Sequence, residues 1–513
     1  MAITGDETQN ETQKETQNET QNETPADQRR WVALAFVSLA QLMIALDATV
    51  MNIALPSAQS ALRFSDADRQ WVITSYTLAF GGLLLLGGGI ADYAGRKRAF
   101  LIGLLGFAAA SALGGAAPNL AVLTTARALQ GGFGALLAPT VLSLLAVTFT
   151  EPADRAKAFA IFGAIAGGGG AIGLVLGGAL ADANWRWCLY VNVLIAIVAV
   201  AGGLLFLNDA PSDAPSDAPS DGHSDSPAAA GRVEHKRYRL DLPGALLATA
   251  GLVALVYGCT QAASHGWTSP WTYGPLVAGV LLLAGFALLE TRAASPLLPP
   301  RIVRDRNRVG AYLSVASAVG GMLGMFLFLT YYLQIVLGYQ PVRAGLAFLP
   351  LSIAVLLSAQ VAGRLLLRVP PRLMIGSGLV TAALAMLLLT TLNAGSGYVS
   401  RVLPAEVVLG LGIGGVFVPA MNAATQRIDP RDGGIAAAVV NTSQQIGGSL
   451  GVAVLNTVAT TATAGFLATR SRTEALIHGY AVAAAWAAAM LLAGAVFAAV
   501  LVTARPTKGA VHE

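Results

Sequence analysis

Between Trp31 and Ala54 the chain is apolar for more than twenty residues, and runs of about that length recur to its far end. An α-helix needs about 20 such residues to cross the hydrocarbon core of a bilayer. Lipid supplies no backbone hydrogen bonds, so spanning segments must be helices or closed barrels. With 55% of 513 residues hydrophobic and 12% charged, a soluble core is excluded. Run length predicts spans at 31–54, 71–91, 99–117, 120–147, 158–181, 188–207, 243–262, 273–290, 310–332, 344–367, 373–392, 402–422, 437–462 and 478–503, fourteen in all.

The 32 Lys and Arg residues predict the orientation, because short basic loops stay cytoplasmic. Seven of them (Arg63, Arg69, Arg186, Arg343, Arg401, Arg470 and Arg472) fall on one face of the expected membrane, and Arg127 falls inside a span. The other 24 share the face of the termini, so both termini and the 208–242 linker are expected in the cytoplasm. The formal charge of +4 is therefore a topology signal, and no nucleic-acid partner is expected. Arg and Ala outnumber Lys in a way that points to a high-GC bacterial genome.

Residues 7–24 repeat Glu, Thr, Gln and Asn, and the 208–242 linker carries Ala-Pro-Ser-Asp repeats; both compositions predict disorder. The Asn-Glu-Thr patterns at Asn10, Asn18 and Asn22 lie in a cytoplasmic tail and are discounted as glycosylation acceptors. No cleavable signal peptide precedes the first span, which acts as its own membrane signal. Cys188 and Cys259 both lie near outer helix ends, which leaves a bridge between them open.

The first span contains Asp47, within LDATVMNIALP at 46–56. A carboxylate at the centre of a spanning helix costs roughly 2.5–3.5 kcal/mol on insertion scales, so one that persists is a functional candidate. Arg127, in the fourth span, is its candidate partner, since a guanidinium stays charged and must be paired or hydrated. Pro56 lies nine residues after Asp47 and Pro118 nine before Arg127, which places both charges roughly 13 Å from the outer surface.

Five further stretches are informative together. Residues 88–98 read GGIADYAGRKR, in which Gly95 permits a tight turn, Asp92 can cap a helix end, and Arg96 and Lys97 hold the loop inside. Residues 123–135 read LTTARALQGGFGA, with Gln130 three places after Arg127. Residues 171–180 read AIGLVLGGAL, where Gly173, Gly177 and Gly178 allow close helix approach. WRWCLYVNV at 185–193 and YLQIVLGYQPVRAGLAFLP at 332–350 add interfacial Trp and Tyr anchors.

With these motifs the chain resembles the major facilitator superfamily, specifically its fourteen-spanner drug/proton antiporters of actinobacterial type, from 31 to 503. The resemblance implies an all-α polytopic fold of two six-helix bundles, 31–207 and 291–503, with two additional helices at 243–290. It implies that the loop with Gly88, Asp92, Gly95, Arg96 and Lys97 latches the bundles in one state, and that Asp47 and Arg127 couple transport to protons. Two departures stand out: Leu174 replaces the proline of the antiporter glycine signature, and Leu367 replaces the acid in the second loop copy, GRLLLRVPPR at 363–372. Tyr76, Thr77, Gln130, Gln334, Asn422, Asn441, Gln444 and Gln445 are candidates for the substrate cavity or for interhelical hydrogen bonding.

The expected partners are an amphipathic small molecule, protons and the lipid bilayer, and the expected unit is a monomer in the cell membrane. A nutrient symporter, or a membrane scaffold or sensor, remains an alternative. No enzyme activity, cofactor or metal is expected. GGSLG at 447–451 and GLGIGG at 410–415 match soluble-enzyme motifs by letter but fall inside spans, and no phosphate loop offers ATP as the energy source.

Overall fold

The computed structural model describes residues 25–149, 151–207, 241–293, 298, 300–366, 368–393, 395–426, 433–467 and 469–503. Asn10, Asn18, Asn22, Leu367, most of the 208–242 linker and the 504–513 tail lie outside them. So does the side chain of Asp92.

The chain is a succession of long helices, with no strand among the described residues. In order they are α1 Pro25–Leu62, α2 Trp71–Ala94, α3 Arg96–Gly115, α4 Leu120–Thr148, α5 Pro152–Asn184, α6 Trp187–Phe206, α7 Leu242–His265 and α8 Pro270–Glu290. There follow α9 Arg306–Val336, α10 Pro341–Leu365, α11 Pro371–Leu389, α12 Tyr398–Thr425, α13 Gly433–Leu467 and α14 Arg472–Leu501. Among the described residues twelve are long and apolar enough to cross a membrane. The remaining two, α2 and α5, are helices of 24 and 33 residues packed within the same assembly.

Local chemistry explains the helix ends. Asn119 caps α4 by accepting from the Val122 amide at 3.0 Å, and Asp305 caps α9 from the Asn307 and Arg308 amides. Ser471 and Glu474 form a reciprocal capping box on α14. Between α2 and α3 there is only Gly95, at φ +90°, a conformation open to glycine and strained for other residues. α10 breaks at Phe348, because Pro350 has no N–H for the Leu346 carbonyl.

Helices α1 to α6 pack mainly among themselves, as do α9 to α14. α7 and α8 form a hairpin, with α7 against α2 and α13. Glycines set the closest crossings. A Cβ on Gly451 would meet Gly320 Cα, and one on Gly412 would stand 2.6 Å from the Gly378 carbonyl. Both enzyme-like motifs are thus helix-packing surfaces, and the Ser449 hydroxyl donates to the Gln445 carbonyl at 2.8 Å within its own helix. Cys188 and Cys259, on α6 and α7, are both free and buried, so the bridge left open by the sequence is not formed.

Candidate functional site

Asp47 is 1% exposed and is held by three donors from two other helices. Arg127 Nη1 donates to Oδ2 at 2.5 Å, while Gln130 Nε2 at 3.1 Å and Asn192 Nδ2 at 2.7 Å donate to Oδ1. Arg127 also donates through Nε to the Val72 carbonyl at 3.1 Å and through Nη1 to Gln130 Oε1 at 3.0 Å. Its guanidinium carbon lies 4.5 Å from the centre of the Tyr76 ring, a cation–π contact. Gln130 reaches on to Ser111 Oγ at 2.7 Å.

This arrangement follows from spacing. Arg127 and Gln130 are three residues apart and so share a face of α4. One position further, Gly131 lets α2 approach until a Cβ there would collide with the Tyr76 carbonyl. Six polar side chains from five helices, α1, α2, α3, α4 and α6, converge on one buried ion pair. Such a pair is hard to break, since removing one partner strands the other charge. A proton arriving on Asp47 would cancel the charge that holds Arg127. Asn192 and Ser111 are members that sequence reasoning missed. The same signal that marked Asn422, an amide inside an apolar run, was present for Asn192.

A second polar constellation joins the two sets of helices at the end of the molecule remote from the termini. Arg69, in the α1–α2 loop, is 1% exposed. Its Nε donates to Asn456 Oδ1 on α13 at 2.9 Å, and its guanidinium lies 4.2 Å from the Tyr331 ring centre on α9. Asn456 Nδ2 donates back to the Asp66 carbonyl at 3.1 Å, and the Tyr331 hydroxyl donates to Gln59 on α1. Gln334 donates to the Ile53 carbonyl at 2.9 Å.

Beside this network α5 and α10 touch backbone to backbone. A Cβ on Gly178 would stand 2.7 Å from both the Pro341 oxygen and Val342 Cα, and one on Gly345 would meet the Leu174 carbonyl. The glycine motif therefore has two faces: Gly173 and Gly177 receive α1 at Thr49 and Val50, while Gly178 receives the opposite half.

Among the described residues Thr77 bonds within its own helix, to the Ile73 and Thr74 carbonyls. Asn422 Oδ1 is buried with no hydrogen-bond partner among the described residues. Asn441, Gln444 and Gln445 are half-buried along α13, and Gln445 faces Gly81 of α2. At the α2–α3 junction Arg96 is exposed and Lys97 half-buried, and Gly88 packs against Pro139.

A sequence profile described as Major Facilitator Superfamily matches residues 37–452. The chain belongs to the Major Facilitator Superfamily. Its relatives in this superfamily include the puromycin resistance protein pur8 of Streptomyces alboniger, 50% identical over 488 residues, which are 93% of this chain and 92% of that protein. The cephamycin export protein CmcT of Amycolatopsis lactamdurans is 38% identical over 84% of this chain and 86% of its own length. A crystal structure of a bacterial homologue of the human lysosomal transporter Spinster, inward-facing and occupied, superposes with a TM-score of 0.64. It covers 91% of this chain and 95% of its own at 15% identity, a likeness of fold alone.

Proposed function

We propose that this membrane protein exports amphipathic antibiotics or secondary metabolites by alternating access, driven by protons entering through Asp47. Relatives named for puromycin resistance and cephamycin export support the substrate class. The observation that carries the mechanism is the buried Asp47–Arg127 pair at 2.5 Å, because a membrane-embedded carboxylate with a displaceable counter-ion can exchange protons as its surroundings change. One proton moved through 100 mV is worth about 2.3 kcal/mol, sufficient for a roughly fifty-fold gradient of a neutral drug.

In this reading the bundles 31–207 and 291–503 rock about a central cavity, fourteen helices cross the membrane, and the 243–290 pair lies beside them. The half-buried stripe of Asn441, Gln444 and Gln445 faces the cavity. The Arg69 network and the Gly178 contact are the outer closure of an inward-facing state, and the loop from Gly88 to Lys97 latches the opposite state. The protein works as a monomer and catalyses no covalent chemistry. The test is export from energised proteoliposomes of compounds chosen by susceptibility profiling of a deletion strain. Accumulation in place of export would make the protein a symporter, and absence of any ligand-dependent proton flux would leave a scaffold.

Orientation has its own test. With Cys188 and Cys259 replaced by Ser, a cysteine at Thr268, in the exposed α7–α8 loop, is expected to react with an impermeant thiol reagent in intact cells. A cysteine at Tyr93, 78% exposed at the other end, is expected to stay unlabelled until the membrane is opened. The reverse pattern would invert the topology.

A further inference from the structure

Glu406, on α12, has no exposed surface. α12 begins at Tyr398, so the carboxyl lies roughly 12 Å below the helix end remote from the termini, at 1.5 Å per residue. Its register matches that of Arg127 in α4. Four residues on, each is followed by a glycine packed onto a neighbouring backbone carbonyl: Gly131 onto Tyr76 of α2, and Gly410 onto Leu351 of α10. Each half of the molecule thus places one ionisable side chain at the same depth on its fourth helix. Arg127 has Asp47, whereas no described cation pairs with Glu406.

What Glu406 has is Tyr398. The phenol oxygen stands 3.2 Å from Oε2 and 2.6 Å from the Ala347 carbonyl, and Oε1 is buried without a partner among the described residues. A phenol carries one proton and a carbonyl can only accept. The shorter contact takes that proton, so the 3.2 Å contact is completed only if Glu406 is itself protonated and donates to the phenol oxygen. An ionised carboxylate would have Tyr398 as its one donor among the described residues, and only by drawing that proton away from the Ala347 carbonyl.

The other groups nearby do not change this. Tyr339 stands near Tyr398 and is covered by Arg343, whose guanidinium carbon is 3.9 Å from its ring centre. Tyr332 of α9 is committed to the Asn393 and Ser396 carbonyls, and Arg401 reaches Thr391. α11 carries only Arg372, in its first turn at the opposite end, and α13 has no charged residue.

The carbonyl that Tyr398 holds closes the first segment of α10, Pro341–Ala347, which ends at the Phe348 break. That same segment forms the contact with Gly178 and Leu174 of α5. We propose that Glu406 is a second proton-binding carboxyl of this protein, and that its proton keeps the Pro341–Ala347 segment seated against α5. When the Glu406 O–H bond breaks and the proton leaves to water, the new carboxylate takes the Tyr398 hydrogen bond. Ala347 then loses its donor, and the outer contact is freed to open. The effect on opening rests on the transporter reading, but the protonation state does not.

The test uses full-length protein in proteoliposomes and pH-difference infrared spectra. A buried carboxylic-acid band is expected in the wild type, lost at alkaline pH, absent from Glu406→Gln and retained in Asp47→Asn. A band unchanged in Glu406→Gln overturns the proposal. A second readout is thiol labelling of Ala344→Cys, a buried position on the segment, in a background without other cysteines and normalised to the exposed Thr268→Cys. Normalised labelling is expected to rise several-fold at alkaline pH in the otherwise unmodified protein and to stay low when Glu406→Gln is added, since the amide still donates to the phenol. Added Tyr398→Phe is expected to label fast at every pH. An equal alkaline rise with and without Glu406→Gln defeats the coupling to the seal. Failure of wild-type protein to pump any compound would instead remove the transport reading and leave the infrared result standing.

Discussion

Asp47→Asn is expected to abolish uphill export while leaving a folded protein that still binds substrate. The amide keeps the shape and an oxygen that can still accept from Gln130 or Asn192, but it cannot take up or release a proton. The opposing expectation is a static structural pair. Removing one partner of a buried pair costs about 3–5 kcal/mol, so the variant would mainly be lost as misfolded protein. Arg127 keeps the Val72 carbonyl, Gln130 Oε1 and the face of Tyr76, which offset part of that cost. The measurement is efflux from proteoliposomes under an imposed proton gradient, with proton release on adding drug recorded in parallel. Collapse of the roughly fifty-fold attainable gradient to none, at near-normal yield, is the expected result. Undiminished proton-coupled efflux would defeat the assignment.

The Asp47–Arg127 pairing was legible because depth in a spanning helix is set by residue count, and Pro56 and Pro118 mark the same membrane face. The all-helical fold was legible for the same reason, since lipid forces apolar runs of sufficient length into helices, and twelve of the described helices are long and apolar enough to cross a membrane. Arg69 was not. In sequence it is a loop cation, and its burial depends on Asn456 and Tyr331, which lie hundreds of residues away on helices of the other half. Glu406 escaped for a local reason. With a span expected from 402, it stands in the first turn or so, where a carboxylate ordinarily reaches the interface. The helix instead starts at Tyr398 with a π-helical turn, which sinks the carboxyl deeper. At the position of the missing signature proline, Leu174 is 1% exposed and its carbonyl is met by Gly345.

Adjacent glycines on α5 are expected to respond differently to the same substitution. At Gly177 an added Cβ would stand 2.8 Å from Val50 Cα, inside the first bundle; at Gly178 it would stand 2.7 Å from backbone atoms of Pro341 and Val342, in the opposite half. Backbone cannot escape by changing rotamer, so in both cases helices must separate. Gly177→Val therefore should lower the yield and melting temperature of the protein, because α1 and α5 pack together within the first bundle. Gly178→Val should leave each bundle intact and penalise only the state in which the outer ends meet. Overpacking costs about 1–3 kcal/mol, and a bias of that size shifts a two-state equilibrium about 5- to 150-fold. Ala344→Cys in the Gly178→Val background should consequently label rapidly from outside, with uphill export largely lost and expression near normal. If Ala344→Cys stays protected and export is unimpaired, the contact between α5 and α10 is not the outer closure. If Gly178→Val is lost to misfolding as Gly177→Val is, the two halves depend on that contact to fold, and it is no gate.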